Sequence, residues 1–313
     1  MTLEMVAAGV LTVEGAIPVI MGANIGTSVT NTLVSLGHVT RPEEFRRAFA
    51  GATLHDFFNW LAVLVLLPLE LLTGYLSRTA LFVEKLLEDV GGTQLLNPVK
   101  AIVRPVANGI AELLGHSPVL ALIAGVGLLF IALKFLVDLL RSLFSERAEE
   151  ILHRTLFRST GAAILAGTVI TVMVQSSSIT TSTIIPLVGA GVVTLRQLFP
   201  FTIGANIGTT VTAMLAALAA GVPAGIVVAL SHLLFNLSGA LLIFGIPVVR
   251  RIPLAMARYM GDLGVRNRVL ALSYIVAVFY LLPLAALFVS GSLSTTQVEP
   301  DGRAAAQESA ARE

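Results

Sequence analysis

Charged residues leave long gaps along this chain. Residues 15–40, 113–133, 159–195, 197–249 and 269–298 contain no Asp, Glu, Lys or Arg. A helix needs about 20 apolar residues to cross about 30 Å of hydrocarbon, and each gap is at least that long. The pattern predicts an all-α polytopic membrane protein rather than a soluble helical core. Apolar spans are predicted at 49–76, 118–142, 223–249 and 269–290. Other apolar stretches are interrupted. Residues 160–174 run into Gln175-Ser176-Ser177-Ser178, and a second piece follows to Val193. Residues 195–203 run into Gly204-Ala205-Asn206-Ile207-Gly208-Thr209-Thr210, and another piece follows to Ala220. Pieces of roughly 9 to 15 residues rise only about 14–23 Å, too short to span. Short pieces meeting at polar, glycine-rich breaks predict re-entrant hairpins and broken helices.

The polar segments divide the chain into parts. Residues 1–76 and 159–249 form two related halves. Residues 77–117 read as an extramembrane loop with amphipathic pieces on the membrane, 118–142 as a transmembrane helix and 143–158 as a cytoplasmic linker. Residues 250–290 supply a basic loop and the last span, and 291–313 a disordered tail. Basic residues concentrate at 37–48, 141–158 and 250–268, which places those loops in the cytoplasm. Spans 49–76 and 269–290 then run outward, and 118–142 and 223–249 inward. The start of the chain does not read as a signal peptide, because Glu4 and Glu14 flank a short apolar run with no basic residues.

Composition narrows the class. Charged residues make up 12% of the 313, with 56% hydrophobic residues, against about 25% charged in a soluble domain. Cysteine is absent, which excludes disulfides, zinc-thiolate sites and a cysteine nucleophile. A formal net charge of +1 gives no reason to expect nucleic acid. There is no GxxxxGK[ST], no HExxH and no GxSxG context for the serines. No enzyme activity and no cofactor are therefore expected.

Two segments repeat. Residues 9–36 and 191–218 align without a gap, with 14 of 28 positions identical. Gly22-Ala23-Asn24-Ile25-Gly26-Thr27 matches Gly204 to Thr209, and Pro18 matches Pro200. Further on, His55, Phe58 and Asn59 match His232, Phe235 and Asn236. With spans 49–76 and 223–249 running in opposite directions, the halves are inverted repeats, an arrangement whose binding sites lie at midplane between the repeats. The register puts the counterpart of Gln175 just before Met1. The first half thus begins inside its own hairpin and lacks a second QSSS.

The polar breaks define candidate chemistry. Gln175, Ser176, Ser177 and Ser178, extended by Thr180 and Thr181, offer amide and hydroxyl groups in a low dielectric. Neutral oxygens of this kind can hold Na⁺, and N–H groups at a helix start can hold an anion. The glycines of the repeated motif instead admit a close-packing face, Gly22/Gly26 and Gly204/Gly208. Asp56 is the acid placed well inside a candidate span, a functional candidate by default, or a solvated or capping carboxylate near the cytoplasmic start of its helix. His55 and His232 read as polar packing residues. With no intramembrane Arg, the residues leave phosphate, sulfate and carboxylate open as substrates.

The QSSS hairpin, the doubled GANIGT and the run Phe45-Arg-Arg-Ala-Phe-Ala-Gly-Ala-Thr-Leu-His-Asp-Phe-Phe-Asn-Trp60 resemble the type II sodium-dependent phosphate cotransporters, from about residue 5 to 290. The resemblance implies symport of inorganic phosphate with Na⁺ across the plasma membrane by alternating access, with phosphate and Na⁺ bound between the repeats. It implicates Gln175, Ser176, Ser177, Ser178, Thr180 and Thr181, with Asn206 and Thr209 in the second repeat and Asn24, Thr27 and Ser28 in the first. Electrogenic members carry an Asp at the position of Asp56, which helps bind an additional Na⁺. The partners implied are phosphate, Na⁺ and the bilayer. The family's first helices and first QSSS are missing, and the chain stops one helix short. A truncated, non-transporting fragment is the alternative expectation.

Overall fold

The computed structural model describes residues 2–7, 10–89 and 156–285, with isolated positions between 105 and 124. Most of the expected span 118–142, most of the linker 143–158 and the whole tail 291–313 lie outside these residues. Every regular element among them is helical. The segments are α1 (Thr2–Ala7), α2 (Val13–Thr27), α3 (Val29–Ser35), α4 (Pro42–Thr73), α5 (Tyr75–Asp89), α6 (Thr160–Val174), α7 (Ser177–Ala190), α8 (Leu195–Ala220), α9 (Pro223–Gly239), α10 (Arg251–Arg266) and α11 (Arg268–Val276). Four are long and apolar enough to cross a membrane: Pro42–Thr73, Leu195–Leu218, Pro223–Gly245 and Arg268–Ala285. The third includes a wide π turn at Ala240–Gly245 that continues α9. Among the described residues, 268–285 belong to a unit separate from the one that ends at Asn267.

Local chemistry explains the boundaries. The sequence α2 opens on Thr12, whose hydroxyl accepts from Gly15 N–H, and α6 opens on Ser159, which accepts from Ala162 N–H. Thr194 and Gln197 form a reciprocal capping box that starts α8. Helix α4 has Pro42 in its first turn and ends at Gly74, whose φ of +64° suits a left-handed C-terminal residue. Residues 77–89, read from sequence as the start of an extramembrane loop with amphipathic pieces, lie in α5, which packs against α9. Glu70 turns back to its start, accepting from Leu76 N–H at 2.6 Å and from Ser77 N–H. This buried acid caps a neighbouring helix.

Two expectations need correction. The second GANIGT does not break a helix: α8 runs unbroken through Gly204–Thr209 for 26 residues, about 39 Å, and is itself long enough to span. The glycines there serve packing. A Cβ on Gly204 would fall on the carbonyl oxygen of Ile164, and one on Gly208 would lie 2.6 Å from Thr171 Cβ and 2.7 Å from Thr168 O. Gly167 of α6 is equally tight against Phe201 O. Helices α6 and α8 therefore touch backbone to backbone, and Thr168 Oγ1 donates to Gly204 O at 3.0 Å across the seam. The other correction concerns Asp56. Helix α4 begins at Pro42, so Asp56 sits about 21 Å along it and is fully buried. It is neither at the helix start nor solvated.

The core lies where α4, α7 and α8 meet, around Leu54, Phe58, Ile184 and Phe199. Phe199 packs edge-on against Phe58 at 5.7 Å and against Phe244 at 5.1 Å. A Cβ on Gly51 would sit 3.0 Å from Val188 Cγ1, so α4 and α7 also approach closely. Arg47 Nε donates to Gly189 O at 2.8 Å, closing the C-terminal end of α7.

Candidate functional site between the repeats

Helices α6 and α7, of 15 and 14 residues, are about 22 Å long each and join at Gln175-Ser176. Gln175 occupies the left-handed region at φ 56°, alone among the described non-glycine residues. Its side chain is exposed, and its N–H closes α6 on Thr171 O at 2.6 Å. Ser176 caps α7, accepting from Ile179 N–H at 3.3 Å. The first turn of α7, Ser177-Ser178, therefore presents N–H groups that no preceding turn can use. The predicted polar run is a hairpin tip with a helix N-terminus on one side.

The first GANIGT is followed directly by an interruption, where the second runs on as helix. Ser28 separates α2 from α3. Its N–H turns to Ile25 O, and Asn31 N–H turns to Ser28 O at 3.0 Å. The carbonyls of Asn24 and Thr27 thereby leave the helical ladder. Both are taken up by other groups. Thr27 O accepts from Ser178 Oγ at 2.9 Å, tying the hairpin to the first repeat. Asn24 O accepts from Asn59 Nδ2 at 2.6 Å and from Thr27 Oγ1 at 2.8 Å.

From that carbonyl a hydrogen-bond chain crosses five helices. Asn59 donates to Asn24 O, so its Oδ1 faces Asn206 Nδ2, which donates at 2.8 Å. Asn206 Oδ1 then accepts from His55 Nε2 at 2.9 Å. His55 Nδ1 is left to accept from Asn31 Nδ2 at 3.0 Å, and Asn31 Oδ1 accepts from Thr181 Oγ1 at 2.9 Å. The Thr181 hydroxyl shares its proton with Ser177 O at 2.8 Å. One backbone carbonyl thus sets every amide orientation and puts the His55 proton on Nε2. At the other end, Asn24 Nδ2 donates to Ile20 O and to His232 Nε2 at 2.8 Å. His232 therefore carries its proton on Nδ1.

The two histidines are repeat partners, and so are the two asparagines. Each histidine bonds the asparagine of the opposite repeat: His55 to Asn206 and His232 to Asn24. The histidines hold the interface and use opposite tautomers to do so. The symmetry stops at Asn236, the partner of Asn59. Its Nδ2 donates to His232 O, while its buried Oδ1 has no hydrogen-bond partner among the described residues. Unpaired buried acceptors are rare and costly.

Of the sequence-predicted residues, Asn24, Asn206, Thr181, Thr27 and Ser178 are joined by these contacts. Thr180 is buried and bonds Ser176 O, Ser28 bonds Ile25 O, and Thr209 bonds Ala205 O; these stay within their own segments. Sequence reasoning missed Asn31 and Asn59 as members. Asn59 was traceable through its repeat partner Asn236. Asn31 aligns with Ala213 and leaves no repeat signal. No Lys or Arg side chain takes part in the network, so neutral dipoles and freed carbonyls make up its chemistry. Discontinuous helices that offer an N-terminus to an anion and carbonyls to Na⁺ have this composition.

The described residues hold no cluster of three His, Cys, Asp or Glu able to bind a metal ion. Compared with known proteins, residues 1–73 and 128–249 match the family described as Na+/Pi-cotransporter. The chain is 36% identical to sodium-dependent phosphate transport protein 2A of Ovis aries, covering 90% of this chain and 56% of the relative. It is 33% identical to sodium-dependent phosphate transport protein 2B of Homo sapiens, covering 92% and 55%. The chain spans about half the length of the curated relatives it matches. No solved structure matches it.

Proposed function

The chain belongs to the Na+/Pi-cotransporter family, and we propose on that premise that it binds inorganic phosphate together with Na⁺ and carries both across the membrane by alternating access. It does so as a multi-pass protein of the plasma membrane. The observation that carries this reading is the meeting of the hairpin tip with the interrupted first repeat, through Ser178 Oγ and Thr27 O. Phosphate is assigned to the N-terminal turn of α7, with Gln175, Ser176, Ser177 and Ser178 as donors. Na⁺ is assigned to neutral oxygens of the interruption, with Asn24, Thr27 and Ser28 on one side and Asn206, Thr209, Thr180 and Thr181 on the other. Since the network contains no guanidinium or ammonium, co-bound Na⁺ supplies the counter-charge that phosphate requires. Asp56 is assigned a further Na⁺, making transport electrogenic.

The test is ³²P-phosphate binding and uptake in proteoliposomes with Na⁺ or K⁺ as the external cation. Na⁺-dependent, saturable signal is expected, reduced at least tenfold in Ser177→Ala and in Gln175→Ala. Equal signal in Na⁺ and K⁺ overturns the coupling, and unimpaired binding in both variants overturns the site. Competition by sulfate or succinate at equal strength overturns phosphate as the substrate. For Asp56, Asp56→Gly removes charge movement and leaves Na⁺-dependent uptake; a persisting current overturns that role.

A further inference from the structure

A basic cleft lies away from the residues assigned to phosphate and Na⁺. Arg196, Arg250, Arg251 and Arg258 line a cleft of ≈ 570 Å³ to which the described residues bring no acid. A neighbouring cleft of ≈ 400 Å³ shares Arg196 and Arg258. Its one acid, Asp262, pairs with Arg46 at 3.5 Å. Among the described residues, no side chain of the four arginines of the larger cleft makes an ion pair or a hydrogen bond. Arg250 is held instead over the face of Phe244, its Cζ 5.0 Å from the ring centre. Three helix N-termini open on the cleft: α6 through Thr160, α8 through Arg196 and α10 through Arg251. Their dipoles add positive potential to four guanidiniums. Such concentrated unpaired positive charge is costly unless an anion joins it. The planar donor forks of Arg suit phosphate oxygens.

Helix α10 indicates where the anion comes from. Leu254, Ala257, Gly261 and Gly264 are buried, on the face packed against α4; a Cβ on Gly264 would lie 3.0 Å from Phe49 Cδ1. Arg251, Ala255 and Arg258 line the cleft. Between these faces, Ile252, Met256 and Tyr259 follow i, i+4, i+7 spacing and are 46%, 36% and 66% exposed. An apolar stripe beside a basic stripe is the pattern of a helix lying in the membrane interface. In the segment that supplies Phe244 and Pro247 to the cleft, Leu241 and Val248 are each 71% exposed. The basic loop 250–268 is cytoplasmic by its charge, the side where anionic lipid attracts Lys and Arg.

We propose that this cleft binds the phosphate headgroup of an anionic phospholipid, with the acyl chains on the stripe of Ile252, Met256 and Tyr259. The site is independent of the substrate site between the repeats. The test is native mass spectrometry of the full chain, purified in detergent and offered phosphatidylglycerol or phosphatidylcholine. One phosphatidylglycerol retained with at least tenfold preference is expected. The preference falls below twofold in Arg250→Gln/Arg251→Gln/Arg258→Gln. It stays above twofold but below the wild-type value in Arg250→Lys/Arg258→Lys, which holds the charge and loses the forks, and it is kept in full in Arg266→Gln, which lines neither cleft. Equal retention by wild type and the triple Gln variant overturns the proposal. So does a loss in Arg266→Gln as large as in the triple variant. A further arm adds millimolar inorganic phosphate. Displacement of the lipid, with stoichiometric ³²P binding that the triple variant loses, identifies free phosphate as the ligand and overturns the lipid assignment.

Discussion

Gly22 and Gly204 occupy the same place in two copies of one motif, yet a methyl group added to each meets opposite surroundings. At Gly204 the new Cβ falls on Ile164 O and lies 2.8 Å from Ile164 C. These are backbone atoms of α6, and neither can move without shifting a helix. At Gly22 nothing lies within 4 Å. Both positions are helical, so Ala gains about 1 kcal/mol of helix propensity over Gly at each. At Gly204 overpacking costs about 1–3 kcal/mol or more, and backbone contact places it at the upper end. The net expectation is that Gly204→Ala destabilises by about 1–2 kcal/mol, while Gly22→Ala is neutral or stabilising by up to about 1 kcal/mol. The difference, about 1–3 kcal/mol, is roughly a 5- to 150-fold change in the unfolding equilibrium. It can be read by titrating the purified chain from mild detergent into SDS, following helicity and the fluorescence of Trp60, the single tryptophan. Equal shifts in the two variants, or a larger loss in Gly22→Ala, would refute the account of the α6–α8 seam.

Other expectations follow from single contacts. A double-mutant cycle on His55→Ala and Asn206→Ala should give a coupling of about 0.5–3 kcal/mol, whereas His55 with Asn236 should be additive within about 0.5 kcal/mol; reversed couplings would dissolve the cross-repeat pairing. Ser178→Ala removes the tie to Thr27 O and should cost about 0.5–1.5 kcal/mol, seen as faster amide exchange at the start of α7; unchanged exchange there would show that the tie does not hold the hairpin. Gln175→Gly relieves a left-handed residue and should leave stability equal or higher while phosphate binding falls; a parallel loss of both would make Gln175 structural only. Glu70→Ala uncaps α5 and should destabilise by about 0.5–2 kcal/mol, with exchange rising at Leu76 and Ser77 before any other region.

Much of the architecture was legible from the order of residues. Charge-free runs of about 20 or more residues read as helices there, because hydrocarbon offers no partner for an exposed peptide group and a barrel strand is about 9–11 residues of alternating polarity. The repeat was legible because GANIGT is polar and glycine-rich where chance matches would be Leu or Val. The hairpin at Gln175-Ser176 was legible for the same reason, as a cap residue between two apolar runs too short to span.

What one copy of a motif does was not legible. The hexapeptide is identical in both halves, yet it is followed by an interruption at Ser28 in the first and runs on as helix in the second. Glycine permits either outcome, and the neighbour decides. Where α6 packs backbone to backbone on Gly204 and Gly208, close contact rewards an uninterrupted helix. Where Asn59 and Ser178 approach Asn24 and Thr27, their donors take carbonyls that a continuous helix would have kept. Sequence by itself determined that the chain is a helical membrane protein of two related halves, because periodicity, charge and repetition are carried by each segment alone. Tertiary structure alone decided which glycines pack, which carbonyls are freed and which histidine meets which asparagine. Those are contacts between residues some 150 to 200 positions apart, and no local pattern encodes them.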